Sequence, residues 1–222
     1  KQIDPINTRG KSEDEIIALV LYSMESVPRE ESLYYLMNEA LRGKNRAGVR
    51  VWRDFIWLLL HAMRKIESPP VRTVFRGIKI ESGIFGSSRP KLTTGFEVTW
   101  SAFSSTTSTL AAMNTFLGTD GERIMYIIDL TEPLARDISP FSLYPDENEL
   151  LLPPNFSFEI VSTFDSGQGL TQVQCKQTET LDVLLDFGAP PSTWNVPISI
   201  PAQPGVPPQA QAQSADQEQV DK

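Results

Sequence analysis

The chain has 222 residues, with 28 acidic against 20 basic side chains and a formal net charge of −8 at pH 7. This acidic balance argues against a protein that binds the nucleic-acid backbone, which needs a basic surface, and the length suits one domain with or without a tail. A single histidine and a single cysteine exclude a polyhistidine metal cage, a thiolate zinc site and an internal disulfide.

The composition also bears on the cellular setting. Hydrophobic residues make up 40% of the chain, enough for a packed core, yet no apolar run reaches the ~18–20 residues of a membrane span. The chain opens on Lys1 rather than on a methionine, so we expect a segment excised or processed from a longer protein. A soluble protein is predicted, intracellular by its cysteine usage, with a secreted effector as the alternative.

The first third of the chain is predicted to form three helices. The first begins at a capping box, in which Ser12 and Glu15 bond each other's backbone amides, and it runs to Met24. The second ends near Arg42, before a glycine suited to a helix C-terminus. The third spans roughly 49–66 and stops at a Ser-Pro-Pro sequence.

After residue 70 the hydrophobic pattern changes to that of strands. Strands are predicted over 71–76, 97–104, 123–130, 150–152, 156–164 and, with breaks, 170–187. A short helix over about 108–117 lies between the second and third of them. Helices first and strands afterwards indicate an α+β fold rather than alternating β-α-β units, and the sequence contains no glycine-rich phosphate-binding loop.

The last segment differs from the rest in composition. Residues 188–222 are rich in proline, glutamine and alanine, and such a segment buries too little apolar surface to offset its ordering entropy. We therefore predict one domain over 1–187, made of a helical lobe at 1–70 and a β-rich core at 71–187, followed by a flexible tail.

Three short segments carry residues suited to chemistry, at 75–77, 100–107 and 144–154. Each also has an ordinary structural explanation. Arg76 could be a surface cation at a strand end, the run of hydroxyl residues could cap a helix, and the glutamates of the third segment could belong to a solvated loop.

In this order, the three segments resemble the mono-ADP-ribosyltransferase family of the R-S-E type. The aromatic-Arg-Gly at a strand end is represented by FRG at 75–77. The Phe-x-Ser-Thr-Ser sequence is similar to FSSTT at 103–107, in which Thr107 stands where the family more often has serine. The Glu-x-Glu-aliphatic-Leu-aliphatic-Pro sequence is similar to ENELLLP at 147–153. The resemblance extends over most of the chain.

The resemblance implies a helical N-terminal lobe and a two-sheet, mainly antiparallel core around an NAD cleft, with NAD as co-substrate and no metal. Glu149 matches the family's catalytic glutamate, which hydrogen-bonds the ribose 2′-hydroxyl, and Ser105 matches the serine that orients it. The C1′–nicotinamide bond breaks with positive charge developing on the ribose. A fixed carboxylate stabilises that charge more than it stabilises the ground state.

The same resemblance assigns residues that bind the cofactor. Arg76 is expected to donate two hydrogen bonds to pyrophosphate or ribose, because its guanidinium is planar and forked. Gly77 would let its backbone approach the nicotinamide amide, and Thr106 and Thr107 complete the expected cofactor-binding set.

The acceptor is predicted from Glu147, because glutamate at this position of the family goes with arginine as acceptor. A carboxylate there can bind the guanidinium, orient one nitrogen at C1′ and accept its proton. If the chain is extended here, Glu147 and Glu149 face the same side and address one cleft. Tyr144 is expected in the loop that faces the acceptor.

The sequence thus predicts NAD-dependent transfer of ADP-ribose to arginine side chains of a target protein, with release of nicotinamide. We expect a monomer that binds NAD and a protein substrate. Two alternatives stay open. One is an NAD glycohydrolase with water as its main acceptor, and the other is a catalytically silent NAD-binding module.

Overall fold

The computed structural model describes residues 3–80 and 92–179. Its α-helices are α1 Pro5–Thr8, α2 Glu13–Ser23, α3 Leu33–Arg42, α4 Arg53–Arg64 and α5 Leu110–Leu117. Its strands are β1 Thr73–Ile80, β2 Glu97–Trp100, β3 Ser104–Thr107, β4 Glu122–Asp129, β5 Arg136–Asp137, β6 Glu149–Leu152, β7 Phe156–Asp165 and β8 Leu170–Gln177. Short 3₁₀ helices cover Arg29–Glu31, Arg46–Trp52 and Pro145–Glu147. The tail predicted at 188–222 and the predicted strand residues 180–187 lie outside the described residues.

Helix α2 begins at the predicted capping box. The Ser12 hydroxyl accepts a hydrogen bond from the Glu15 amide at 3.2 Å, and the Glu15 carboxylate accepts one from the Ser12 amide at 2.7 Å. The Glu15 carboxylate is buried and pairs with Lys65, just beyond α4, at 2.8 Å. The capping box is confirmed, and its acid also joins the first part of the lobe to the end of α4.

The third predicted helix, at 49–66, differs from the structure at its start. The chain first forms the 3₁₀ helix Arg46–Trp52 and becomes α-helical only in α4. The Asn45 side chain accepts a hydrogen bond from the backbone amide two residues on, at 3.1 Å. Gly48 lies inside this turn, and glycine has a low α-helix propensity, so the α-helix starts after it.

The eight described strands form one hydrogen-bonded sheet in the order β2-β7-β8-β4-β1-β3-β6-β5. Only the β4–β8 pair is parallel among them, and the other neighbours are antiparallel. The predicted α+β class with a mainly antiparallel core is therefore confirmed.

The two sheets expected from the sequence are joined into one sheet by a narrow junction. Strand β1 pairs with β4 along all of its length, whereas it pairs with β3 at Phe75 and Thr107 alone. We call this single pair the seam. It joins a part made of β2, β7, β8, β4 and β1 to a part made of β3, β6 and β5.

The helical lobe packs against the smaller of these two parts. Its apolar core includes Phe103, just before β3, and Leu151 of β6, together with buried residues of α2, α3 and α4. Arg136 of β5 adds a polar link, since its Nε donates to the Met63 carbonyl of α4 at 3.2 Å. The lobe is thereby held over the strands that carry the second and third motif segments.

None of the helices formed by residues 3–80 and 92–179 combines the length and the apolar character needed to cross a bilayer.

Candidate active site

Arg76 lies in the middle of β1 and points its guanidinium towards β3. Its Nη1 donates a hydrogen bond to the Ser105 carbonyl at 2.6 Å, and the guanidinium carbon lies 5.3 Å from the centroid of the Trp100 ring. Burial lowers the pKa of Arg76. Within the described part of the chain it forms no ion pair, so its charge is held by a carbonyl and an aromatic face and can attract an anion.

Glu149 is the first residue of β6 and is 8% exposed. It lies opposite Thr107 in the β3–β6 ladder, and its carboxylate is within hydrogen-bonding reach of the Ser105 side chain. Burial raises the pKa of Glu149 to about 7, the nearby Glu147 raises it as well, and the hydrogen bond from Ser105 and the charge of Arg76 act against this rise.

Ser105 connects these two charged residues. Its carbonyl accepts from Arg76 and its exposed side chain faces Glu149. Three residues that are distant in sequence therefore meet because β1, β3 and β6 are neighbours at the seam. The structure brings them together, while their catalytic roles stay predictions.

Gly77 has a packing explanation in the structure. A Cβ atom at this position would lie 2.6 Å from the Met113 sulfur and 2.9 Å from Leu117 Cγ, both on α5. Helix α5 thus packs directly against β1 at Gly77, which has no side chain to keep the two elements apart. The expected role of Gly77 beside nicotinamide stays a prediction, and the packing alone accounts for glycine here.

Thr106 and Thr107 are buried, and their hydroxyls already have protein partners. The Thr106 hydroxyl donates to the Leu150 carbonyl at 2.6 Å, across the β3–β6 ladder. The Thr107 hydroxyl accepts from the Thr109 amide at 3.3 Å, just before α5. Both side chains organise the strand that carries Ser105, and their contact with a cofactor stays a prediction.

Glu147 ends the 3₁₀ helix Pro145–Glu147 and is exposed. The extended geometry expected between it and Glu149 is wrong, because the intervening Asn148 is left-handed, with φ 48° and ψ 51°. Asparagine tolerates this conformation, and its side chain bonds the Asp146 carbonyl at 3.1 Å. A turn rather than a strand therefore brings the two glutamates close together.

The environment of Glu147 is acidic on two sides. Partial burial raises the pKa of Glu147, and the charge of Glu25, beyond the end of α2, raises it further. The Leu143 amide donates to the Ser23 hydroxyl at 3.3 Å, which holds the end of α2 beside the turn. Tyr144, placed by the sequence in an acceptor loop, is 44% exposed at the start of this turn.

Three residues around the site were given no role by the sequence. Trp100 stacks on Arg76, and Tyr22 and Asn38 are buried in the lobe behind β3. Asn38 had a detectable signal, since it is a polar residue between the apolar Met37 and Leu41 on one helical face. Trp100 opens the segment 100–107, but nothing local indicates which cation it contacts.

Among residues 3–80 and 92–179, no three histidine, cysteine, aspartate or glutamate side chains are grouped so that they could hold a metal ion.

A family model shows to which family the chain belongs. The family model described as NAD:arginine ADP-ribosyltransferase matches residues 6–180. The chain belongs to this family. The predicted membership of an NAD-dependent ADP-ribosyltransferase family is thereby confirmed, while the Glu-x-Glu subgroup stays a prediction.

A curated relative of this ADP-ribosyltransferase comes from Mycobacterium avium (strain 104). It is named "Putative NAD(+)--arginine ADP-ribosyltransferase Mav" and is 33% identical over 116 residues, which are 50% of this chain and 13% of that protein. The chain therefore spans well under a quarter of the length of the relative it matches.

Solved structures share the fold of this ADP-ribosyltransferase. Vis, an ADP-ribosyltransferase from Vibrio splendidus solved in complex with agmatine, is 18% identical, with a TM-score of 0.58 and 77% of each chain covered. HopU1 of Pseudomonas syringae pv. Tomato DC3000 is 20% identical, with a TM-score of 0.58, covering 78% of this chain and 80% of that one.

Proposed function

We propose that this chain transfers ADP-ribose from NAD to an arginine side chain of a protein and releases nicotinamide. The observation that carries the proposal is the meeting of Arg76, Ser105 and Glu149 on three adjacent strands. Membership of the NAD:arginine ADP-ribosyltransferase family supports it.

Glu149 is proposed to stabilise the positive charge that develops on the ribose as the bond to nicotinamide breaks. A buried carboxylate acts more strongly on such a charge than one in water, because the local dielectric is low. Ser105 restrains the orientation of the Glu149 carboxylate, so little reorganisation is needed during the reaction. Only the ionised form of the glutamate can do this, and its pKa of about 7 makes ionisation depend on pH near neutrality.

Arg76 is proposed to bind an anionic or oxygen-rich part of NAD, either pyrophosphate or ribose. One guanidinium nitrogen donates to the Ser105 carbonyl, and among residues 3–80 and 92–179 the other donors of the fork have no further hydrogen-bond acceptor, so they can serve a ligand. This local cation answers the difficulty that an acidic chain has to bind a negatively charged dinucleotide.

Glu147 is proposed to bind the acceptor guanidinium and take up its proton. A free guanidinium has a pKa above ~12 and is a poor nucleophile, so a carboxylate must accept a proton as the new bond forms. The raised pKa of Glu147 makes it a better proton acceptor than an ordinary surface glutamate. Tyr144, exposed beside it, is proposed to contact the protein that carries the arginine.

We further propose that the chain acts as a monomer, because all of the residues assigned to the site come from one chain. Vis is named a toxin, and an effector that modifies a protein in another cell is the setting that we propose to test first. A normal intracellular enzyme is the alternative.

The deciding experiment follows the fate of ADP-ribose with agmatine as the acceptor, since agmatine is a small guanidinium compound. The chain is incubated with NAD and agmatine, and the products are separated and weighed by mass spectrometry. We expect ADP-ribosyl-agmatine and nicotinamide in equal amounts. Free ADP-ribose as the main product would show a glycohydrolase instead. A wild-type rate of nicotinamide release no higher than that of the Glu149→Gln variant would show a silent NAD-binding module.

A further inference from the structure

A buried amide lies behind the strand that carries Ser105. Asn38 is 6% exposed and shares the buried face of α3 with Met37 and Leu41. A primary amide among apolar side chains is unfavourable unless both its oxygen and its nitrogen find partners. The placement of Asn38 therefore depends on what its two ends contact.

Both ends of Asn38 contact groups that lead to Phe103. The side-chain oxygen accepts a hydrogen bond from the Phe103 backbone amide at 3.1 Å, and the side-chain nitrogen donates to the Tyr22 hydroxyl at 3.4 Å. The Tyr22 ring packs edge-on against the Phe103 ring, with centroids 5.8 Å apart. Two helices of the lobe thus hold the backbone and the ring of one residue.

Phe103 lies where no ladder fixes the position of the backbone. Strand β2 ends at Trp100, and the first pair between β3 and β6 is Ser104 with Leu152. A buried backbone amide outside a ladder needs an acceptor from elsewhere, and the Asn38 side chain supplies it. Asn38 therefore fixes the point at which β3 begins.

The start of β3 determines the position of Ser105, which follows Phe103 by two residues, about 7 Å along an extended chain. The Ser105 carbonyl and side chain contact Arg76 and Glu149 respectively. A displacement of the start of β3 would therefore disturb both contacts at once.

We propose that Asn38 is a positioning residue that keeps Ser105 in place by holding the Phe103 amide. The inference rests on the proposed function, because the effect of Asn38 on catalysis passes through Ser105. No contact between Asn38 and NAD is needed for it.

A double-mutant cycle tests this coupling. Nicotinamide release is measured for the wild type, Asn38→Ala, Ser105→Ala and the double variant. We expect Asn38→Ala to lower kcat roughly tenfold or more, since a displacement of about 1 Å has such effects, with the KM for NAD changed less than about threefold. In the Ser105→Ala background the same substitution should lower kcat less than it does in the wild-type background, because the contact with Glu149 is already lost and only the bond from Arg76 to the backbone carbonyl at 105 remains to be disturbed.

Leu41→Ala is the matched control, because Leu41 is a buried residue on the same face of α3. It should lower the Tm and leave kcat unchanged at temperatures where the variant is folded. Hydrogen exchange gives a readout that does not depend on activity. Exchange of the amides at 103–107 should become faster in Asn38→Ala and stay at the wild-type rate in Leu41→Ala.

The outcomes separate this inference from the proposed function. Independent, multiplicative effects of Asn38→Ala and Ser105→Ala on kcat, or an equal loss in Leu41→Ala, would overturn the positioning role. If Asn38→Ala does not fold, Tyr22→Phe replaces it, because this variant removes the hydroxyl that Asn38 contacts but keeps the ring. The same non-additivity with Ser105→Ala is expected. Additive effects on kcat would overturn the positioning role. Failure of the proposed function appears instead in the wild type, as absent nicotinamide release or as free ADP-ribose in place of ADP-ribosyl-agmatine. Unchanged exchange at 103–107 overturns the inference in either case.

Discussion

Glu149 combines burial with a charge that the reaction needs. At 8% exposure its carboxylate has a pKa near 7, and the hydrogen bond from Ser105 only partly offsets the effect of burial. A buried carboxylate that loses a proton near neutral pH is typical of a functional group rather than a structural one.

Replacing this carboxylate by its amide removes the charge and keeps the shape. We expect Glu149→Gln to lower kcat for nicotinamide release by about 10²–10³, the usual effect of removing one preorganised electrostatic group. Glu159→Gln, an exposed glutamate on β7, is the matched control and should keep wild-type activity. Near-wild-type release by Glu149→Gln would assign the role to another residue.

Glu147 separates the choice of acceptor from the breaking of the bond in NAD. It is exposed at the end of a turn, whereas Glu149 is buried at the start of a strand. We expect Glu147→Gln to retain slow hydrolysis of NAD and to lower transfer to agmatine at least tenfold, since an amide is a poor proton acceptor. Asp146→Asn, the exposed neighbour, is the control. Equal losses of hydrolysis and transfer in Glu147→Gln would contradict the division of roles.

Among the elements, β1 and α5 are fitted together at Gly77. The space that a side chain would need is taken by Met113 and Leu117. We expect Gly77→Ala to lower the free energy of unfolding by about 1–3 kcal/mol, the usual cost of overpacking, as measured by urea denaturation. Gly48→Ala, where a Cβ would meet no atom within 4 Å, is the matched control. A loss of NAD binding in Gly77→Ala without a loss of stability would favour the cofactor role over the packing role.

Local signals in the sequence predicted some elements well. The start of α2 was predictable because the capping box needs only Ser12 and Glu15, three residues apart. The order of helices and strands gave the α+β class for the same reason, since hydrophobic periodicity is a local property. The motif residues Arg76 and Glu149 were recognisable from their immediate neighbours.

Tertiary contacts decided what the sequence did not show. The left-handed Asn148 turns the chain between two glutamates that looked extended, and the burial of Asn38 depends on Phe103, 65 residues away. Strand β5 has two residues, Arg136–Asp137, and exists only because β6 lies beside it. Such features follow from packing between distant segments, for which periodicity carries no signal.

For the whole molecule, the same ionisation favours catalysis and opposes folding. Glu149 has a folded-state pKa near 7, above the ordinary value of a glutamate. At low pH, where this carboxyl is protonated in both the folded and the unfolded chain, it does not lower the free energy of unfolding. As the pH rises through the folded pKa, the free energy of unfolding falls, because the carboxyl ionises more readily in the unfolded chain. Activity, which needs the ionised form, should rise as the pH passes the folded pKa of about 7.

This opposition can be measured by comparing the wild type with Glu149→Gln. Above pH 7 we expect the variant to be more stable in urea denaturation by up to about 3 kcal/mol, the free energy of a pKa shift of this size. Near pH 4 the difference should vanish. Over the same series kcat of the wild type should increase through about pH 7. A stability difference of equal size at pH 4.5 and pH 8 would contradict the assignment.

The seam at Phe75 and Thr107 has a mechanical consequence for the molecule. Within the described strands this pair alone joins the two parts of the sheet, whereas β1 and β4 are paired over eight positions. A boundary with so few interstrand bonds resists bending less than the ladders on either side of it. The chain thus concentrates its compliance where Arg76, Ser105 and Glu149 meet, the place at which we propose that a dinucleotide enters and its products leave.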